Sequence, residues 1–158
     1  MHTGLYVMMG VCGSGKSLIG AKLARELDIE FVEGDELHPP ENVRRMAAGI
    51  PLTDDDRQGW LLAIAARLRE AKRAGMGLVV SCSALKRRYR DLLRSEGDAD
   101  VRFVHLAGRR ALEGAGLRAG VAPRSGATSD GVHWLDPADV HREAVAPRLV
   151  LRLADDGL

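Results

Sequence analysis

A cluster of residues near the N-terminus has the types and spacing to hold a polyphosphate. Gly10, Gly15, Lys16 and Ser17 fill every fixed position of the pattern G-x-x-x-x-G-K-[ST], with Cys12, Gly13 and Ser14 between them. Glycines there let successive backbone N–H groups curl around phosphate oxygens. A helix starting at the loop would add its positive dipole end. Lys16 would then reach the β- and γ-phosphates of ATP, and the Ser17 hydroxyl would bind Mg2+. The alternative is a glycine-rich turn with no ligand, and the flanking pattern argues against it.

Phosphoryl transfer to a small molecule also needs a carboxylate for the acceptor hydroxyl and cations for an anionic acceptor. Asp35 lies just beyond an apolar run, in Gly34-Asp35-Glu36-Leu37-His38-Pro39. Its functional reading is a base or positioner for the hydroxyl; its plain reading is a turn aspartate. His38 alone reads as a surface histidine before two prolines. Lys86, Arg87, Arg88 and Arg90 form a basic run. A run of this kind is most often a solvated helix face. Lys86 and Arg90, at i and i+4, are the pair expected to share a face and meet a carboxylate. Asp54-Asp55-Asp56 complements a helix dipole, and Trp60 on the same helix reads as a packing residue.

These groups need elements to position them. Apolar runs at Leu5–Met9, Ile29–Val32, Leu78–Cys82 and Val101–Leu106 read as strands. Helical patterns cover Lys16–Leu27, Pro40–Ala48, Asp54–Arg73 and Leu85–Arg94. Thr53, three residues before Asp56, gives the third of these helices a capping box. Strands alternating with helices predict an α/β fold, a parallel sheet with helices on both faces. Ligands of such sheets bind at the carboxyl ends of the strands, where Ser17 and Asp35 would both lie. From Gly108 to Gly131 the chain is rich in Ala, Gly, Arg and Ser. A short helix at Asp136–Ala146 and a last strand at Leu149–Leu153 are expected beyond it.

The chain has 158 residues, enough for a single domain spanning 1–158. A formal net charge of +1 argues against a general grip on nucleic acid or on an anionic membrane. No apolar run is long enough to cross a bilayer. The two cysteines, Cys12 and Cys82, make neither a disulfide framework nor a metal cluster, so a reduced, cytoplasmic setting is expected.

Several blocks together resemble bacterial gluconokinases. They are Gly10–Ser17, Gly34–Pro39, Asn42-Val43-Arg44-Arg45-Met46, Ala48–Arg57 and Cys82–Asp91, in the order and spacing of that family. The resemblance implies a three-layer P-loop kinase of the nucleoside-monophosphate-kinase type, with a parallel sheet of about five strands. It implies transfer of the ATP γ-phosphoryl group to D-gluconate, with Mg2+, in a cytoplasmic homodimer. It makes Lys16 and Asp35 catalytic, and Gly10, Cys12, Gly13, Ser14, Gly15, Lys16 and Ser17 the nucleotide cradle, with Ser17 on the metal. Asp35, His38, Arg45, Lys86 and Arg90 would bind the acceptor; Arg45 stands where the family usually has Lys. Another sugar acid or shikimate is the alternative acceptor. After Leu106 the family's lid helix and its later blocks are missing, which either a diverged lid over 108–135 or a shifted reading frame would give. A lid arginine is expected near Gly116, where Arg110, Arg118 and Arg124 are the neighbours. An ATP-binding protein with impaired catalysis is the corresponding alternative function.

Overall fold

In the computed structural model, the residues described are 2–10, 16–83, 86–106, 125–127 and 132–135. The sheet is built on β1 (Leu5–Met9), whose five residues are all buried. Parallel neighbours flank it: β3 (Leu78–Ser81) on one side and β4 (Arg102–Leu106) on the other. β2 (Glu30–Glu33) pairs with the outer edge of β3, again parallel. Beyond β4 lie β6 (Val132–Leu135), parallel to it, and β5 (Ser125–Ala127), antiparallel to β6. The strand order is β2-β3-β1-β4-β6-β5.

Side chains alternate across a strand, so Leu-Tyr-Val-Met-Met supplies both faces of the sheet at once. Leu5, Val7 and Met9 join Leu78, Val80 and Phe103 in a core covered by α3 (Asp54–Arg73). That helix contributes Trp60, Leu61, Ile64, Ala65 and Leu68. Tyr6, Met8, Val79 and Val104 face the opposite way, against Ile19, Leu23 and Leu27 of α1 (Lys16–Leu27). The three layers and helices on both faces match the α/β expectation.

The bounds of β1, α1 and α3 are those read from the sequence. α3 begins at the expected capping box: Asp56 N donates to Thr53 Oγ1 at 3.1 Å, and Thr53 N donates to Asp56 Oδ2 at 2.9 Å. α2 (Pro40–Ala47) ends one residue earlier than expected. The helix expected over Leu85–Arg94 is shorter. α4 spans Arg87–Leu92 and runs into a wider π-helical turn, Leu93–Gly97. This turn buries Leu93 fully against the α3 side of the core. It also brings Gly97 so close to α3 that a Cβ there would lie 3.3 Å from the Ala65 carbonyl oxygen. β5 and β6 were not foreseen. Ser-Gly-Ala carries no strand signal, and both segments are held by backbone pairing outward from β4. The expected elements at Asp136–Ala146 and Leu149–Leu153 lie outside the described residues.

Candidate active site

The site is organised around Gly34, at the carboxyl end of β2. The Gly34 amide donates to Ser81 Oγ at 3.2 Å, and its carbonyl accepts from Trp60 Nε1 at 2.8 Å. A Cβ at this position would stand 1.9 Å from the Ser81 carbonyl oxygen. Only glycine lets β2 end this close to β3. Ser81 in turn donates to one carboxylate oxygen of Glu33. The other oxygen of Glu33 accepts from Ser17 Oγ at 2.5 Å. One carboxylate thus ties the first turn of α1 to the ends of β2 and β3.

An exposed hydroxyl beside a carboxylate is a donor set of hard oxygens. Mg2+ binds through one or two protein oxygens and completes its shell with phosphate oxygens and water. Ser17 and Glu33 fit that requirement. Among the described residues there is no group of three or more His, Cys, Asp or Glu that could enclose a metal unaided.

Past Gly34 the chain makes a 3-10 turn, Gly34–Leu37, which carries Asp35 and delivers His38. Asp35, His38, Arg57, Trp60 and Ser83 line one cleft of about 350 Å³, with Met46, Ile50 and Leu52 among its apolar residues. The His38 ring lies flat on the Trp60 indole, with centroids 4.3 Å apart and planes 14° apart. Its Nδ1 is 3.3 Å from Asn42 Nδ2. Burial holds the His38 pKa below its ordinary value; Asp35 pulls against this and Arg57 adds to it. The imidazole is therefore neutral near pH 7.

Arg57 is held from behind. Its guanidinium donates to the Tyr89 hydroxyl at 3.4 Å. Tyr89 donates to Asp54, which also pairs with Lys86 at 2.8 Å and with Arg88. Burial pushes the Tyr89 phenol up, but Arg57, Lys86 and Arg88 around it bring it below its ordinary value. The cleft thus offers a carboxylate, a neutral imidazole and a fixed guanidinium. That combination suits an acceptor with hydroxyl groups and an anionic end.

Comparisons with known proteins give the family. The family model described as shikimate kinase matches residues 12–109. The thermoresistant gluconokinase of Escherichia coli K12 is 46% identical over 104 residues, covering 66% of this chain and 59% of that protein. The gluconokinase of Gluconobacter oxydans is 51% identical over 100 residues, covering 63% of this chain and 56% of that protein. The chain therefore spans less than two thirds of these curated relatives. A solved gluconokinase from Sinorhizobium meliloti superposes with a TM-score of 0.71 at 38% identity, over 99% of this chain and 98% of that one. The chain belongs to the shikimate kinase family, in its gluconokinase branch.

Within this gluconokinase-family chain, the expected site residues fall into three groups. Gly10, Lys16 and Ser17 stand at the end of β1 and the start of α1, while Cys12, Gly13, Ser14 and Gly15 lie outside the described residues. Asp35 and His38 meet in the cleft. The expected cations lie elsewhere. Arg45 pairs with Asp56 at 3.2 Å and with Glu41 at 3.5 Å, and does not line the cleft. Lys86 is the extended N-cap of α4 rather than part of its helix, and its side chain and that of Arg90 lie in different surroundings. The Lys86 side chain is 52% exposed and pairs with Asp54. Arg90 is only 8% exposed and lies close enough to His105 to lower that histidine's pKa, burial being the larger cause.

Sequence reasoning passed over Glu33 and Arg57. Glu33 reads as an ordinary edge-strand residue, and only the strand pairing shows it between two serines. Arg57 carried a signal. A cation at the end of an acidic first turn opposes the helix dipole, so something other than helix stability holds it there. Trp60 is the buried packing residue expected, and it is also one wall of the cleft. Cys82 is buried at the end of β3, next to β1.

Proposed function

We propose that this chain transfers the γ-phosphoryl group of ATP to D-gluconate, giving 6-phospho-D-gluconate and ADP. The observation that carries the proposal is the meeting of Asp35, His38 and Arg57 in one cleft, on the strand end that also carries Glu33 against Ser17. The gluconokinases that the chain resembles name the acceptor.

In this reading, the loop Gly10–Ser17 cradles the triphosphate and Lys16 reaches its β- and γ-oxygens. Ser17 and Glu33 would hold Mg2+, which when bound neutralises charge on those oxygens. Asp35 orients the terminal hydroxyl of the acceptor and takes its proton as the new O–P bond forms and ADP leaves. Arg57 binds the carboxylate end as a fork. Lys86 lies 5.5 Å from the centre of the Tyr89 ring and steadies Tyr89, and through it Arg57. A single kinase domain goes with this reading; since β5 and β6 put 125–127 and 132–135 in the sheet, its lid region narrows from 108–135 to 108–124, with Arg110, Arg118 or Arg124 as its cation. So do a cytoplasmic setting and a homodimer.

The test is a coupled ADP-release assay over a panel of acceptors. D-gluconate is expected to support turnover well above shikimate and other sugar acids. Preference for another acid would move the substrate assignment. ATP binding with no turnover on any acid would leave a nucleotide-binding protein without kinase activity.

A further inference from the structure

Asn42 is a polar side chain buried to 4% exposure on α2, a helix with no other buried residue. Its Nδ2 donates to the Asp56 carbonyl oxygen at 2.8 Å. A carbonyl only accepts, so that atom is the amide nitrogen and not the oxygen. The same Nδ2 faces His38 Nδ1 at 3.3 Å. Nδ1 must then present a lone pair, and the ring proton must sit on Nε2. A protonated ring would set an N–H against an N–H at this contact. The flat stack on Trp60 holds the ring plane and leaves only a half-turn of the ring, which would set Cδ2–H against Asn42 Nδ2 and lose this contact. Nε2 makes no hydrogen bond to the described residues, and His38 lines the acceptor cleft.

We propose that Asn42 is a positioning residue for the acceptor site. Its amide fixes His38 as the Nε2–H tautomer, and His38 then meets the acceptor as a neutral donor to a hydroxyl oxygen. His38 is on this account neither a base nor a counter-ion; Asp35 and Arg57, the charged groups facing it across the cleft, have those roles. The donor part rests on the reading of the cleft as the site of a polyhydroxy acid. The tautomer part does not.

Long-range 1H–15N NMR of the imidazoles in the ligand-free protein at pH 7.5 reads the tautomer directly, with His38→Gln used to assign the signal. The expected result is Nε2–H in the wild type. In Asn42→Asp, whose carboxylate can only accept, the proton is expected on Nδ1. Asn42→Ala, a second variant should the first fold poorly, is expected to give a mixture. Steady-state kinetics of Asn42→Ala should show the gluconate KM raised roughly three- to tenfold, with the ATP KM unchanged. His38→Gln keeps a donor near the Nε2 position and should retain more acceptor affinity than His38→Ala. A wild-type ring found protonated on Nδ1, or as imidazolium, would overturn the proposal. So would an unchanged gluconate KM in Asn42→Ala. If the wild type turned over no acid at all while the ring was Nε2–H, the acceptor reading would fall and the tautomer assignment would stand.

Discussion

On the proposed function, Asp35 and Arg57 divide the work of the cleft between proton and charge, and their variants should fail differently. Asp35→Ala should lower kcat by about a hundredfold to ten-thousandfold with ATP affinity retained, because the group acts on the reacting hydroxyl. Arg57→Ala should chiefly raise the acceptor KM. Arg57→Lys should recover only part of that loss, since an ammonium keeps the charge but not the fork. His38 gives a pH signature. Its folded pKa lies below 6.5, so the unfolded chain takes up its proton first as pH falls. Its contribution to stability is present above pH 6.5 and is lost as pH falls through the lower, folded value. Acceptor KM should follow the same course, flat from pH 8 to 6.5 and rising below. An acceptor KM already rising between pH 8 and 7 would contradict a depressed His38.

At the scale of elements, the turn from β2 into the cleft is the least tolerant segment. Gly34→Ala places a methyl group against the Ser81 carbonyl oxygen. It should destabilise the fold by about 3 kcal/mol in denaturant titration and displace Asp35 as well. Thr53→Ala should remove one half of the α3 capping box, at a cost of about 1 kcal/mol. Such elements were legible in the sequence where a local signal coincided with burial. Leu5–Met9 is uniformly apolar, Lys16–Leu27 follows a glycine-rich loop, and Thr53-Asp54-Asp55-Asp56 marks a helix start. α4 stops at Leu92, short of the span its sequence predicts, because the wide turn after it answers to α3, a partner distant in sequence. The different surroundings of Lys86 and Arg90 have another cause, since helical spacing says nothing about the side-chain direction of an extended N-cap. Glu33 acquires its role from serines 16 and 48 residues away, and Arg57 its support from a tyrosine 32 residues away.

For the molecule as a whole, the sheet does two jobs with one set of strands. Its two faces carry separate cores, and its carboxyl edge carries the candidate site. The start of α1, proposed for the nucleotide, and the cleft proposed for the acceptor meet through the single carboxylate of Glu33 and the backbone of Gly34. Binding of Mg-ATP should therefore stabilise the fold, by about 2.7 kcal/mol at a ligand concentration a hundred times its Kd. Glu33→Gln should weaken the Mg2+ dependence of that thermal shift more than it weakens binding of metal-free ATP. Among the described residues no helix is long and apolar enough to cross a membrane.

The most direct test is ADP release from Mg-ATP on addition of D-gluconate, measured side by side for the wild-type chain and Asp35→Ala, with ATP binding to both followed by calorimetry. Gluconate-dependent release by the wild type, lost in a variant that still binds ATP, is the predicted result. Equal release by the two proteins, or none from a wild type that binds ATP well, would contradict it.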